Sequence, residues 1–132
     1  MLDQLSGAGT ARARLAEEDV EFCSAAGPID SGTVSSLRDR LAARLDSAPS
    51  ALVLDLTGVT FLGAAGIAAL VEAHARAERV GSSFAVVADS HRVLRPLQVT
   101  GVDRVLSVHP TLTEAALAAE AAGARIPRQR AR

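Results

Sequence analysis

The chain contains no lysine, tryptophan or tyrosine, and only one cysteine. A single cysteine, Cys23, can neither close an internal disulfide nor supply a cysteine-based zinc site. It falls in an expected strand, where it reads as a small buried thiol. Aromatic residues make up 2% of the 132 residues. That is too few to stack bases, so nucleic acid is not an expected partner. No apolar run approaches the roughly 20 residues that a membrane helix needs, so no membrane insertion is expected. The N-terminal stretch "MLDQLSGAGTARAR" lacks a charged start followed by an apolar segment, so it does not read as a signal peptide. The chain is read as cytoplasmic.

What is present is the balance of one soluble α/β domain. Hydrophobic residues are 48% and charged residues 22%. The length suffices for a single core. All 14 basic residues are arginine, and the net charge is -1. Four of those arginines, Arg125, Arg128, Arg130 and Arg132, lie in the last ten residues, which contain no acid. The remaining 122 residues therefore carry -5. Residues 1–10 and 123–132 are read as flexible ends, flanking a domain at 11–122.

The elements follow from the spacing of apolar residues. "ARARLA" (11–16) and "VEFCSAA" (20–26) read as two strands of a hairpin. "GPIDSGTV" reads as a turn into a helix, with Asp30 or Ser31 as its cap. Val34, Leu37, Leu41 and Leu45 mark that helix's inner face. "ALVLDL" (51–56) reads as a central strand covered on at least one face, and "TGVTFLG" as its connection. "AAGIAALVEAHARAERV" (64–80) reads as the second helix. Its expected inner stripe is Ile67, Leu70, Val71 and His74, with Glu72 and Arg76 paired outside and Gly81 as the stop. "SFAVVA" (83–88) is a strand. "SHRVLRPLQVTG" (90–101) is a helix that Pro96 should make short, kinked or broken near residue 95. "DRVLSV" (103–108) is a last strand. Thr111 and Glu114 open a final helix with a capping-box spacing, and it should end near Gly123. The order is β-β-α-β-α-β-α-β-α, about four to five strands and four helices, which predicts a mainly parallel sheet with right-handed crossovers.

The residues that carry chemistry in enzymes are missing. His74, His91 and His109 are scattered and read as lacking a ligating neighbour at helical spacing, so no metal site is expected. There is no G-x-S-x-G elbow, no G-x-G-x-x-G fingerprint and no P-loop. Neither catalysis nor a cofactor is expected. The turn "GAAG" at Gly63, Ala64, Ala65 and Gly66 has no hydroxyl, carboxylate or charge. It opens a helix whose free N–H groups favour an anion, and it also suits tight helix-on-sheet packing.

Its surroundings carry a resemblance. "ALVLDLTGVTFLGAAGIAAL" resembles the central segment of STAS domains, especially bacterial anti-sigma factor antagonists. There an apolar strand ends in a D/N-L-x-x-V-x-F/Y turn, followed by D-S-S-G or D-S-T-G and a helix of small apolar residues. "VLRPLQVTGVDRVLSVHPTLTEAALAA" is similar to the family's C-terminal half, and "GPID" sits where the family has G-E-x-D. The resemblance covers roughly residues 11–122.

The site departs from the pattern. Gly63 stands at the family's Asp, Ala64 and Ala65 at its two hydroxyl positions, and Gly66 is retained. The second hydroxyl position is the one that a partner kinase phosphorylates, so the resemblance implies no phosphorylation at Ala65. A phosphate would add about -1.5 to -2 charges at this helix start. Without it, the surface mimics the unphosphorylated, partner-binding state. The implied function is a non-enzymatic interaction module that binds an anti-sigma factor of the serine-kinase type. Asp30, Gly63, Ala64, Ala65, Gly66 and Ile67 are its expected contact residues. Thr57 and Thr60 are off-pattern hydroxyls in the same connection, and Ser31 and Thr33 lie nearby. The alternative is a ligand-sensing or scaffold STAS subunit of a transport or stress-signalling complex.

Overall fold

A computed structural model describes residues 19–125. The expected strand at 11–16, both expected flexible ends to residue 10 and beyond 125, and most of the basic tail lie outside the described residues. Four strands form one parallel sheet: β1 (Val20–Ile29), β2 (Ala51–Leu62), β3 (Ser83–Val87) and β4 (Ser107–His109), in the spatial order β1-β2-β3-β4. The helices are α1 (Val34–Asp46), α2 (Ala64–Val80), α3 (His91–Val99) and α4 (Leu112–Arg125), with a 3₁₀ turn at Val102–Arg104 before β4. This alternation is the α/β order expected from the sequence. Because the strands follow one another across the sheet, right-handed crossovers place α1, α2 and α3 on one face. There Leu37, Leu41, Leu70, Val93 and Leu97 pack with Leu52, Leu54 and Val86. On the other face Ala115 and Ala119 of α4 meet Val53, Ala85 and Val87. β2 lies between β1 and β3, and its first four residues are all buried, as its apolar run requires.

Several boundaries differ from expectation. β2 continues to Leu62 instead of stopping at Leu56, so "TGVTFL" is strand and not connection. Gly58 there is a close approach rather than a turn. A Cβ on it would meet the Ala26 Cβ at 3.2 Å. β1 likewise runs through "GPI" to Ile29. Its pairing with β2 shifts register between Ser24 and Ala26 and again between Gly27 and Pro28, each time with an extra β2 residue. β3 pairs with β2 only as far as Asp55, so beyond that point the sheet narrows to β1 and β2. Arg40 and Arg44 of α1 donate to the β1 carbonyls of Ser24 (2.6 Å) and Phe22 (2.7 Å).

The inner stripe of α2 is also shifted. Gly66, Ala69, Leu70, Ala73 and Ala77 are buried, whereas Val71 is exposed and Ile67 and His74 are half-buried. Small residues bring this helix close to the sheet, and apolar size alone pointed to the wrong stripe. Glu72 and Arg76 do not pair with each other. Glu72 accepts from Arg38 (2.9 Å) and Asp46 accepts from Arg76 (2.9 Å), both across to α1. Pro96 sits inside α3 without ending it; the helix continues for three residues. Val105 and Leu106 donate to the Val102 carbonyl, so "DRVL" is a turn, and the strand shrinks to three residues. α4 runs through Gly123 to Arg125 rather than ending at the glycine. Cys23 is buried, as expected.

Candidate functional site

The ends of β1 and β2 bring the candidate residues together. The Gly63 N–H donates to the Ile29 carbonyl at 2.9 Å. This bond sets the start of α2 beside the chain that leaves β1, and therefore beside Asp30. Asp30 shapes the turn ahead of α1 but does not cap it, against expectation: Thr33 is the residue before the helix, and no side chain bonds the first helical N–H groups. The Asp30 Oδ1 accepts from the backbone N–H of Gly32 (2.9 Å) and of Thr33 (3.1 Å), and its carbonyl accepts from Val34 N–H (2.9 Å). The Thr33 hydroxyl donates to the Pro28 carbonyl (2.9 Å) and accepts from the Asp30 N–H (3.0 Å). Ser31 is exposed and is not the cap. Two helix starts thus stand side by side at the carboxyl ends of neighbouring parallel strands, the end of an α/β sheet where binding surfaces are commonly built.

Neither start has a side-chain cap, and no acid stands in the first turn of either helix. Ala64 is exposed, Gly63, Ala65 and Ile67 are half-buried, and Gly66 is buried. Ala65 and Ile67 pack against the core. Gly66 is fixed by packing. A Cβ there would lie 2.7 Å from Ile29 Cγ2 and 2.7 Å from Leu62 Cδ1. Gly63 has an ordinary extended backbone (φ -88°), and a Cβ on it would meet the Phe61 ring at 3.0 Å and the Ile29 carbonyl oxygen at 3.5 Å. Phe61 itself is 53% exposed. It lies over Gly63 as an apolar projection that the residue-level reading did not select. Its place in the "VTF" motif was visible, but its outward direction depends on the β2 register.

Thr57 and Thr60 lie within β2, not in a connection, and both are exposed. Thr60 is three residues from Gly63. Thr57 is six residues away, roughly 20 Å of extended chain. His74 does have a carboxylate at helical spacing, against expectation: its Nε2 is 3.3 Å from Glu78 Oε2. Among the described residues, no three His, Cys, Asp or Glu side chains converge on a metal position, and no helix is long and apolar enough to cross a membrane.

A family model described as the STAS domain matches residues 17–115. The chain belongs to the STAS domain family. This STAS domain is 35% identical over 98 residues to the anti-sigma-F factor antagonist RsfB of Mycobacterium tuberculosis, covering 73% of this chain and 78% of that protein. A crystal structure of an anti-sigma factor antagonist from Mycobacterium paratuberculosis superposes with a TM-score of 0.72 at 34% identity, over 76% of this chain and 86% of that one. The STAS domain of a SulP transporter from Vibrio cholerae shares the fold, with a TM-score of 0.62 at 20% identity over 85% and 94% of the two chains.

Proposed function

We propose that this STAS domain is an anti-sigma factor antagonist that docks through Asp30 and the start of α2. The partner is an anti-sigma factor of the serine-kinase type, and no phosphorylation at Ala65 controls the contact. The observation that carries the reading is the 2.9 Å bond from Gly63 to Ile29. It sets Asp30 beside Gly63, exposed Ala64 and half-buried Ala65 and Ile67, with buried Gly66 beneath them and exposed Phe61 alongside, in a chain whose relatives bear the antagonist name.

The surface suits docking and not chemistry. It offers small apolar groups, unbonded helix N–H groups and one carboxylate, with no nucleophile or base beside them. A phosphoryl group added to such a surface would force a packed partner to bury a double charge. Alanine at 64 and 65 offers no oxygen to receive one. The domain thus holds its binding-competent state, and control of its activity passes to its concentration.

The test is affinity capture of the full chain from native lysate, with Ala64→Arg and Asp30→Asn as controls and partners identified by mass spectrometry. Recovery of an ATP-binding anti-sigma factor with the parent chain, and its loss with Ala64→Arg, is the expected result. Recovery of a transporter or a stress scaffold with no such factor would overturn the antagonist reading.

A further inference from the structure

At the far end of α2 from the docking surface, the sheet edge is notched. β4 pairs only with Ala85, Val86 and Val87, so beside Ser83 and Phe84 that edge is open among the described residues. The cavity there has a volume of about 470 Å³. Ala77 and Glu78 of α2 border it on one face of the sheet, and Ala118 and Ala122 of α4 on the other. Phe84 and Val105 also line it. Val105 is 51% exposed, so part of this apolar wall faces water.

The end of α4 stands next to the notch. α4 runs to Arg125, three residues past Ala122, so the chain leaves the helix within one turn of the cavity. The seven residues that follow are "IPRQRAR". Pro127 disfavours helical geometry at Ile126, which suits a helix that stops at Arg125. Ile126 comes four residues after Ala122, a spacing that keeps one helix face, so the chain departs on the notch side.

Charge and topology favour this segment over other occupants. Arg128, Arg130 and Arg132 carry +3 with no acid among them. Glu78 on the notch is 71% exposed. His74 approaches Glu78 Oε2 at 3.3 Å, and a second cation can share the carboxylate through Oε1. The N-terminal segment, by contrast, enters the sheet at β1, the opposite edge from β4. A second copy would set one body of charge -5 (residues 1–122) against another.

We propose that residues 126–128 fold back into this notch, with Ile126 against Ala77, Phe84 and Val105 and the Arg128 guanidinium on Glu78. Ile126 is the one large aliphatic residue of the seven, and its burial drives the contact. Arg128 lies roughly 7 Å of extended chain further on and sets the direction. A weak contact suffices, because a short tether presents the segment at an effective concentration of about millimolar. The tail is then a latch on the open sheet edge.

The test is NMR on the ¹³C,¹⁵N-labelled full chain. NOEs are expected from the Ile126 methyls to those of Val105 and Ala77. Amide order parameters should be about 0.8 at residues 126 and 128 and fall below about 0.6 by residues 130–132. Ile126→Asp should remove the NOEs, shift amides 77, 84 and 105, and lower the order at residue 128. Glu78→Gln should lower the order at 128 and keep the Ile126 NOEs, whereas His74→Gln should change neither, which separates the latch from the His74–Glu78 pair. Ala118→Leu, which narrows the notch, should expel Ile126. If that variant loses its dispersed spectrum, Ile126→Asp, beyond α4, carries the test alone. Order parameters below about 0.6 throughout 126–132 in the parent chain overturn the proposal. So do amides 77, 84 and 105 that ignore Ile126→Asp, or an order at 128 that survives Glu78→Gln. NOEs to the notch from Leu2 or Leu5, or from a differently labelled second copy in a mixed sample, overturn it as well.

Discussion

Gly66 stands so close to Ile29 that a single methyl group on it would come within 2.7 Å of Ile29 Cγ2. The neighbour is a β-branched side chain in the core, with Leu62 equally close on another side, so neither can swing away. Gly66→Ala should therefore destabilise the fold by about 1–3 kcal/mol, the cost of overpacking a filled core, despite alanine's better helix propensity. Urea unfolding checks the magnitude, and an unchanged midpoint would contradict this packing.

Asp30 has a structural duty that a binding assay alone would misread. Its Oδ1 holds the turn ahead of α1 by accepting from the N–H groups of Gly32 and Thr33. Asp30→Ala should cost about 1 kcal/mol, and Asp30→Asn, which keeps the accepting oxygen, much less. If the charge also contacts a partner, Asp30→Asn should lower affinity with little change in melting temperature. Thermal melts and binding isotherms on the same two variants separate the roles.

Ala65 gives a test in which stability and binding move in opposite directions. No acid occupies the first turn of α2. A carboxylate there faces the positive end of the helix dipole, worth about 0.3–1 kcal/mol. Ala65→Asp should hold or raise the melting temperature while weakening the anti-sigma factor complex at least about tenfold, the effect of setting a charge against a packed interface. Equal binding by Ala65→Asp and the parent chain would place the contact elsewhere. Ala65→Ser should leave both properties near the parent values until a kinase and ATP are added, and mass spectrometry should then find a phosphate at residue 65.

Arg38–Glu72 and Arg76–Asp46 join α1 to α2 across solvent. All four side chains are more than a third exposed, so each pair should contribute less than about 1 kcal/mol. A double-mutant cycle on Arg38→Ala and Glu72→Ala should give a coupling of that size, and it should shrink as salt is raised to 1 M, where screening shortens to about 3 Å.

The sequence was most legible where one signal acted alone. Leu37, Leu41 and Leu45 fixed the inner face of α1, and Gly81, at φ 80°, fixed the end of α2. Legibility failed where a local rule met a tertiary contact. Gly58 and Pro28 looked like turn residues, yet each sits in a strand where the register of β1 on β2 slips. Glu72 and Arg76 satisfied the i,i+4 rule and were drawn to α1 instead. Val71 and His74 looked more core-like than Ala69 and Ala73 because size was weighed without the closeness of the sheet. Within the site, "GAAG" could be placed at a helix start and Asp30 in the turn before α1, though not as its cap. Their adjacency could not be read from the sequence, since it depends on Ile29 and Gly63 meeting across the two strand ends.

The end of the sheet past Asp55 gives the proposed docking face an unusual mounting. Four strands support the core, but only two carry the load up to Gly63, and both register slips fall in that stem. Force or binding energy applied at Phe61 and Ala64 meets a compliant two-strand support before it reaches the rigid slab below. Hydrogen exchange should register this as faster opening of amides 26–29 and 58–62 than of 52–54, with a partner slowing the first group alone.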